Sequence, residues 1–234
     1  MFAVLKREVK SYFYSPIAYV LIGFYILLCS IFFLPNLYGG YADFNSNLSS
    51  MGFILLFFVP ILTMRSYAED RKNGTEVLLL TSPVKIMDIV LGKFLALIFV
   101  FLVMTAITLV YPLILSIFGN PPVAQTIGGF IGFILLGTTF ISIGIFASSL
   151  TENQIIAAII TFVILLVIWL MDAISSMLGG FLSQVLNWFS LMSRYGDFNL
   201  GILNLNAIVY YLSFTTVFLF LTVRVIEKRR WSQG

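Results

Sequence analysis

Arg65–Lys93 reads RSYAEDRKNGTEVLLLTSPVKIMDIVLGK, a polar interruption between two long apolar stretches. Nine of the chain's 23 charged residues (13 basic, 10 acidic) fall inside it. The stretches on either side, about Leu48–Met64 and Phe94–Phe118, are each long enough to cross the roughly 30 Å of a bilayer's hydrocarbon as a helix. The segment therefore reads as a connection on the water side of a membrane. Crowded with charge of both signs, it looks like a docking surface.

Composition supports this frame across all 234 residues. The chain is 60% hydrophobic and only 10% charged, with a mean hydropathy of +1.05. Soluble domains carry about a quarter charged residues. Outer-membrane barrels show short alternating segments, which are not visible here. The one cysteine, Cys29, allows no intrachain disulfide. Histidine is absent, which removes the commonest metal ligand and proton relay. No metal site and no nucleic-acid partner are expected, the net charge of +3 being topological.

Six spans are expected: Ile17–Leu34, Leu48–Met64, Phe94–Phe118, Ile127–Leu150, Ile155–Met171 and Ala207–Val223. With these boundaries 12 of 13 basic residues share one side, and only Arg194 lies opposite. The positive-inside rule then places both termini in the cytoplasm, as an even number of spans requires. Before the first span, Phe2, Leu5, Val9, Tyr12 and Phe13 recur at helical spacing. They suggest an amphipathic helix in the cytoplasmic interface; the other reading is a frayed basic flank that only sets topology. Asp172–Asn206, outside, fits a pair of short re-entrant helices broken at Gly179–Gly180, or a plain surface helix. Ile174, Leu178, Phe181, Val185, Trp188 or Phe189, and Met192 share its apolar face.

Within the charged interruption, helix is expected to continue through Ser66–Asn73 and stop at Gly74. Thr75 can cap a short helix with Glu76 in its first turn. Ser82 then caps a third helix that has Pro83 at its first position. Val77–Leu80 would form an apolar tip flanked by charge, typical of interaction sites, unless the tip folds back onto the membrane surface. Span four carries Gly128, Gly132, Gly137, Gly144 and Ser148, small residues that let another helix approach closely. Pro60 and Pro112 are expected to kink spans two and three.

No acidic or basic residue lies near the middle of any span, which argues against a proton- or sodium-driven carrier. No protease constellation and no phosphate-binding Gly-x-x-x-x-Gly-Lys-Ser/Thr loop is present. The chain holds no recognisable catalytic residues, and any energy source must be a partner. A secondary carrier or channel, and a scaffold or mechanotransmitter moved by an ATPase, remain as alternative classes.

At these residues the chain resembles the membrane subunits of ABC-2-type ABC transporters. That family shows an acidic-basic stretch, Gly-Thr-x-Glu-x-Leu-Leu, a Ser/Thr-Pro pair and a Gly-Lys opening span three. Here the sequence is Glu69-Asp70-Arg71-Lys72-Asn73-Gly74-Thr75-Glu76-Val77-Leu78-Leu79, then Ser82-Pro83 and Gly92-Lys93. The acidic residue directly follows the threonine, one place earlier than in many members. Ser149-Leu150-Thr151-Glu152-Asn153-Gln154 is a second family-like element, and Tyr195–Leu203 through Val223–Trp231 look like the gliding-motility-type branch.

The resemblance implies a single permease domain over 1–234 in a bacterial inner membrane, paired as a homodimer or with a related chain. Two separate ATPase subunits would bind ATP and magnesium, and this chain no cofactor. It implies that Glu69, Asp70, Gly74, Thr75, Glu76, Leu78 and Leu79 form the main ATPase contact, with Thr151, Glu152, Asn153 and Gln154 secondary. Export, an interfacial elbow helix at the start and external re-entrant helices follow from the same likeness. In the gliding-type branch a subunit with a large extracytoplasmic domain is a further expected partner. The substrate is not legible.

Overall fold

The structure, a computed structural model, describes residues 1–39, 44–81, 84–119, 121–177, 180, 183, 188 and 190–232. Among these residues the regular secondary structure is all helix. In chain order the helices are α1 (Phe2–Tyr14), α2 (Pro16–Gly39), α3 (Asn45–Thr63), α4 (Arg65–Lys72), α5 (Thr75–Thr81) and α6 (Ile86–Thr108). Then follow α7 (Val110–Phe118), α8 (Val123–Leu150), α9 (Gln154–Met177), α10 (Met192–Asn199) and α11 (Leu205–Ser232). Six stretches are long and apolar enough to cross a membrane: α2, α3 with α4, α6 with α7, α8, α9 and α11.

Helix α8 is the hub, packed by α3, α4, α6, α9, α10 and α11, while α2 lies outside against α1, α3 and α6. Its glycines make this possible. Gly128 and Gly132 face α10, where an added Cβ would come within 2.7 Å of the Phe198 carbonyl oxygen and 2.6 Å of the Phe198 Cβ. Gly137 abuts the Phe101 ring of α6, and Gly144 abuts Thr63 of α3. The outer face of α9 stays apolar and open at Ile155, Ile159, Val163 and Val167, as a helix in hydrocarbon allows.

Several local features differ from the sequence expectation. The third helix begins at Ile86, because Lys85 is extended at ψ 139°; Ser82 and Pro83 lie outside the described residues. Span three divides at Leu109, since Pro112 has no N–H for the Thr108 carbonyl four residues back. At Pro60 the helix runs on undivided. Helix α9 extends to Met177, past the expected end at Met171. Of the expected external face, Leu178, Phe181, Val185 and Phe189 lie outside the described residues, as does Gly179. Met192 opens the short α10, which packs on α8 and α9.

The amino terminus forms the helix α1, but its inward face is Val4, Glu8 and Tyr12. Phe2, counted on the apolar face from spacing alone, is 78% exposed. Ser15 ends α1 in an extended conformation, as the steric demand of Pro16 favours, and Pro16 opens α2 at the position where it is best tolerated.

Candidate functional site

Gly128, against α10, and Ser148, against α4, are 20 residues apart on α8, or about 30 Å at 1.5 Å per residue. That is one hydrocarbon thickness, so α10 and α4 sit at opposite membrane faces. Buried charge collects at the α4 end: among the described residues, the buried charged side chains are Glu8, Glu76 and Lys93.

The junction between α3 and α4 is held by Ser148. Its hydroxyl donates to the Met64 carbonyl at 3.0 Å and accepts the N–H groups of Tyr67 and Ala68 at 3.1 and 3.2 Å. Amides in the first turn of a helix have no partner within it. Here a residue from the neighbouring span supplies one, fixing where α4 leaves α3.

Lys93, first met as a topological charge, is the centre of a buried cluster. Its side chain is 2% exposed. The ammonium donates to Asp70 Oδ2 at 2.6 Å, to the Ser66 carbonyl at 2.6 Å and to Glu8 Oε1 at 3.0 Å, and it lies over the Tyr67 ring. Two carboxylates, a carbonyl and a ring satisfy a charge that could not be buried unpaired. Arg7 adds a second cation, 2.7 Å from Glu8 and 3.6 Å from Asp70. Burial opposes the Arg7 charge, but the Glu8 hydrogen bond and the two carboxylates outweigh it, holding its pKa above the usual arginine value. Gly92 completes the arrangement. A Cβ there would meet Val4 at 3.0 Å, so glycine lets α1 lie against α6 with Glu8 in reach of Lys93.

Gly74, at φ +71°, ends α4 in a left-handed conformation that glycine adopts without penalty. Thr75 opens α5, yet its hydroxyl donates backwards to the Asp70 carboxylate at 2.8 Å and carbonyl at 3.2 Å. It locks the turn between α4 and α5 where an N-cap was expected. Glu76 turns inward too, and Arg229 of α11 donates to it at 3.2 Å. Arg229 also donates to the Ser149 carbonyl, one of the orphan acceptors at the end of α8. Arg71 lies 4.0 Å from Glu76 and 2.6 Å from Glu152 in the turn between α8 and α9. Glu69 pairs with Arg65 four residues back, at 2.6 Å.

The three-residue turn itself is closed locally. The Asn153 side chain accepts the Ile155 and Ile156 N–H groups at 2.9 and 3.4 Å, capping α9, and Thr151 Oγ1 accepts the Asn153 N–H at 3.1 Å. Gln154 is the first residue of α9.

The sequence-derived residues thus divide by direction. Asp70, Thr75 and Glu76 point into the protein and Glu69 is half-buried against Arg65, whereas Gly74, Leu78 and Glu152 are exposed and Leu79 is half-buried. Leu78 is 73% exposed beside Val77; the Leu80 side chain lies outside the described residues. Sequence reasoning missed Glu8, Lys93 and Arg229 as structural charges. The one available signal was the i, i+4, i+8 spacing of Val4, Glu8 and Tyr12. The result is a short apolar helix whose base is tied by charge to α1, α6, α11 and the α8–α9 turn.

These features define a multi-pass α-helical membrane protein with a charge-braced helical protrusion on one face. The chain belongs to the ABC-2 family transporter protein family, whose model matches residues 32–195. It is therefore an ABC transporter permease subunit, of a kind that pairs in the membrane and works with separate ATPase subunits. The match includes both α5 and the α8–α9 turn. No curated protein matches the chain.

Proposed function

We propose that this chain, one permease domain over residues 1–234, exports a substrate across the bacterial inner membrane, driven by an ATPase that presses on α5. The observation that carries this reading is the contrast within one segment: Val77 and Leu78 exposed, Asp70, Thr75 and Glu76 committed to internal partners. Apolar side chains left in water next to a rigid base are suited to receive a partner. Glu152 and Gly74, also exposed, complete the contact. Thr151, Asn153 and Gln154 shape the neighbouring turn, and Leu79 supports the tip.

Both termini are cytoplasmic in this reading, as the distribution of basic residues requires. The ATPase binds ATP and magnesium; this subunit contributes no cofactor. The carboxy-terminal sequence supports the gliding-motility-type branch, with a second copy or related chain as membrane partner and an extracytoplasmic subunit as a further one. The test is co-purification with candidate ATPase subunits and measurement of their ATP turnover in proteoliposomes. Association with raised turnover supports the reading, and failure to associate with any ATPase overturns it.

A further inference from the structure

On the flank of α1 facing away from the Lys93 cluster, an apolar groove of about 730 Å³ runs between α1 and α6. Leu5, Val9 and Phe13 form one wall and Ile98, Phe99 and Leu102 the other, with Lys6 and Lys10 at its rim. The groove is of the size of a small-molecule pocket, and it starts where the charged end of the molecule gives way to span three.

The two lysines separate from the other cations nearby. Arg7 is paired with Glu8 and Asp70, Arg65 with Glu69, and Lys93 with Glu8 and Asp70. Lys6 and Lys10, one turn apart on an exposed stripe of α1, meet no carboxylate among the described residues; Lys10 lies only over the Tyr14 ring, at 5.3 Å. An apolar trough with two unneutralised ammonium groups along its exposed α1 rim is complementary to an amphiphile with an anionic head and a hydrocarbon tail. We infer that this groove binds an anionic phospholipid of the surrounding leaflet, its phosphate between Lys6 and Lys10 and one acyl chain along Ile98, Phe99 and Leu102. Bound so, the lipid wedges α1 against α6 and steadies the helix that carries Glu8 to Lys93. The inference rests on membrane embedding alone and stands whether or not an ATPase acts on α5.

The test is native mass spectrometry of the full purified chain, released from micelles containing equal amounts of phosphatidylglycerol and phosphatidylcholine with the same acyl chains. A lysine near an anionic lipid surface is worth about five-fold in binding, so roughly 25-fold retention of phosphatidylglycerol over phosphatidylcholine is expected. Lys6→Gln with Lys10→Gln brings the two lipids to near-equal retention. Ile98→Trp with Leu102→Trp fills the groove and removes both lipids while leaving the charges in place. Equal retention by the native chain, or a preference untouched by the lysine substitutions, overturns the inference. So does a copy-to-copy disulfide at Leu102→Cys in a Cys29→Ser background, which would show the groove covered by a second copy.

Discussion

Replacing Lys93 with methionine leaves an unbranched side chain one atom shorter and removes the ammonium, with its charge and its hydrogen bonds to Asp70, Glu8 and the Ser66 carbonyl. The Asp70 and Glu8 side chains, 17% and 11% exposed, are then left facing an apolar atom. Removing one partner of a buried ion pair costs about 3–5 kcal/mol. Arg7 still reaches Glu8 at 2.7 Å and Asp70 at 3.6 Å, so the low end of that range applies, about 3 kcal/mol. For a chain of this size each kcal/mol moves Tm by about 2–4 °C, giving a loss of roughly 6–12 °C. The assay is thermal unfolding in detergent micelles followed by circular dichroism. Adding Glu8→Gln and Asp70→Asn to Lys93→Met takes away the stranded carboxylates and recovers part of the loss, the half-exposed Arg7 losing both of its partners in exchange. A Lys93→Met variant within about 0.5 kcal/mol of the native chain, or a triple variant less stable than the single one, refutes the buried cluster as described.

Ser148→Ala strands the Tyr67 and Ala68 amides and the Met64 carbonyl at the α3–α4 junction. A loss of about 1–3 kcal/mol is expected in the same unfolding assay. Gly144→Ala pushes a Cβ into the Thr63 side chain, its hydroxyl first, and costs about 1–3 kcal/mol, which Thr63→Ala partly relieves by removing both the hydroxyl and the γ-methyl. Leu78→Asp leaves stability within about 0.5 kcal/mol, being a surface change, yet abolishes stimulation of ATP turnover by a partner ATPase. Arg229→Gln, by contrast, unties α11 from Glu76 and Ser149, lowering both stability and stimulation.

The spans were readable because an apolar run either exceeds the bilayer thickness or does not, and no tertiary contact alters that. The stop at Gly74 was readable for a similar reason, since it depends on one residue's backbone. The charged end was harder. Lys93 and Arg229 read as topological charges, and nothing in the local sequence shows that carboxylates 85 and 153 residues away complete them. Glu76 was expected at a partner's surface from the family likeness, and nothing in its local sequence shows that Arg229 of α11 lies beside it. The start of α6 was misread because Ser82-Pro83 is a good local signal that the extended Lys85 overrides. Gly92 was quoted for its family likeness, and its physical reason, the close passage of Val4, needs the fold.

The permease reading requires that α5 receive the ATPase. The direct measurement is a site-specific cross-link from position 78, using Leu78→Cys in a Cys29→Ser background with the partner ATPase bound and ATP turnover monitored. If the ATPase docks on α5, Cys at 78 cross-links to the ATPase subunit, whereas Ile117→Cys, on the exposed surface near the end of α7, does not. Cross-linking at 117 with none at 78, in a complex that turns over ATP, would contradict that docking.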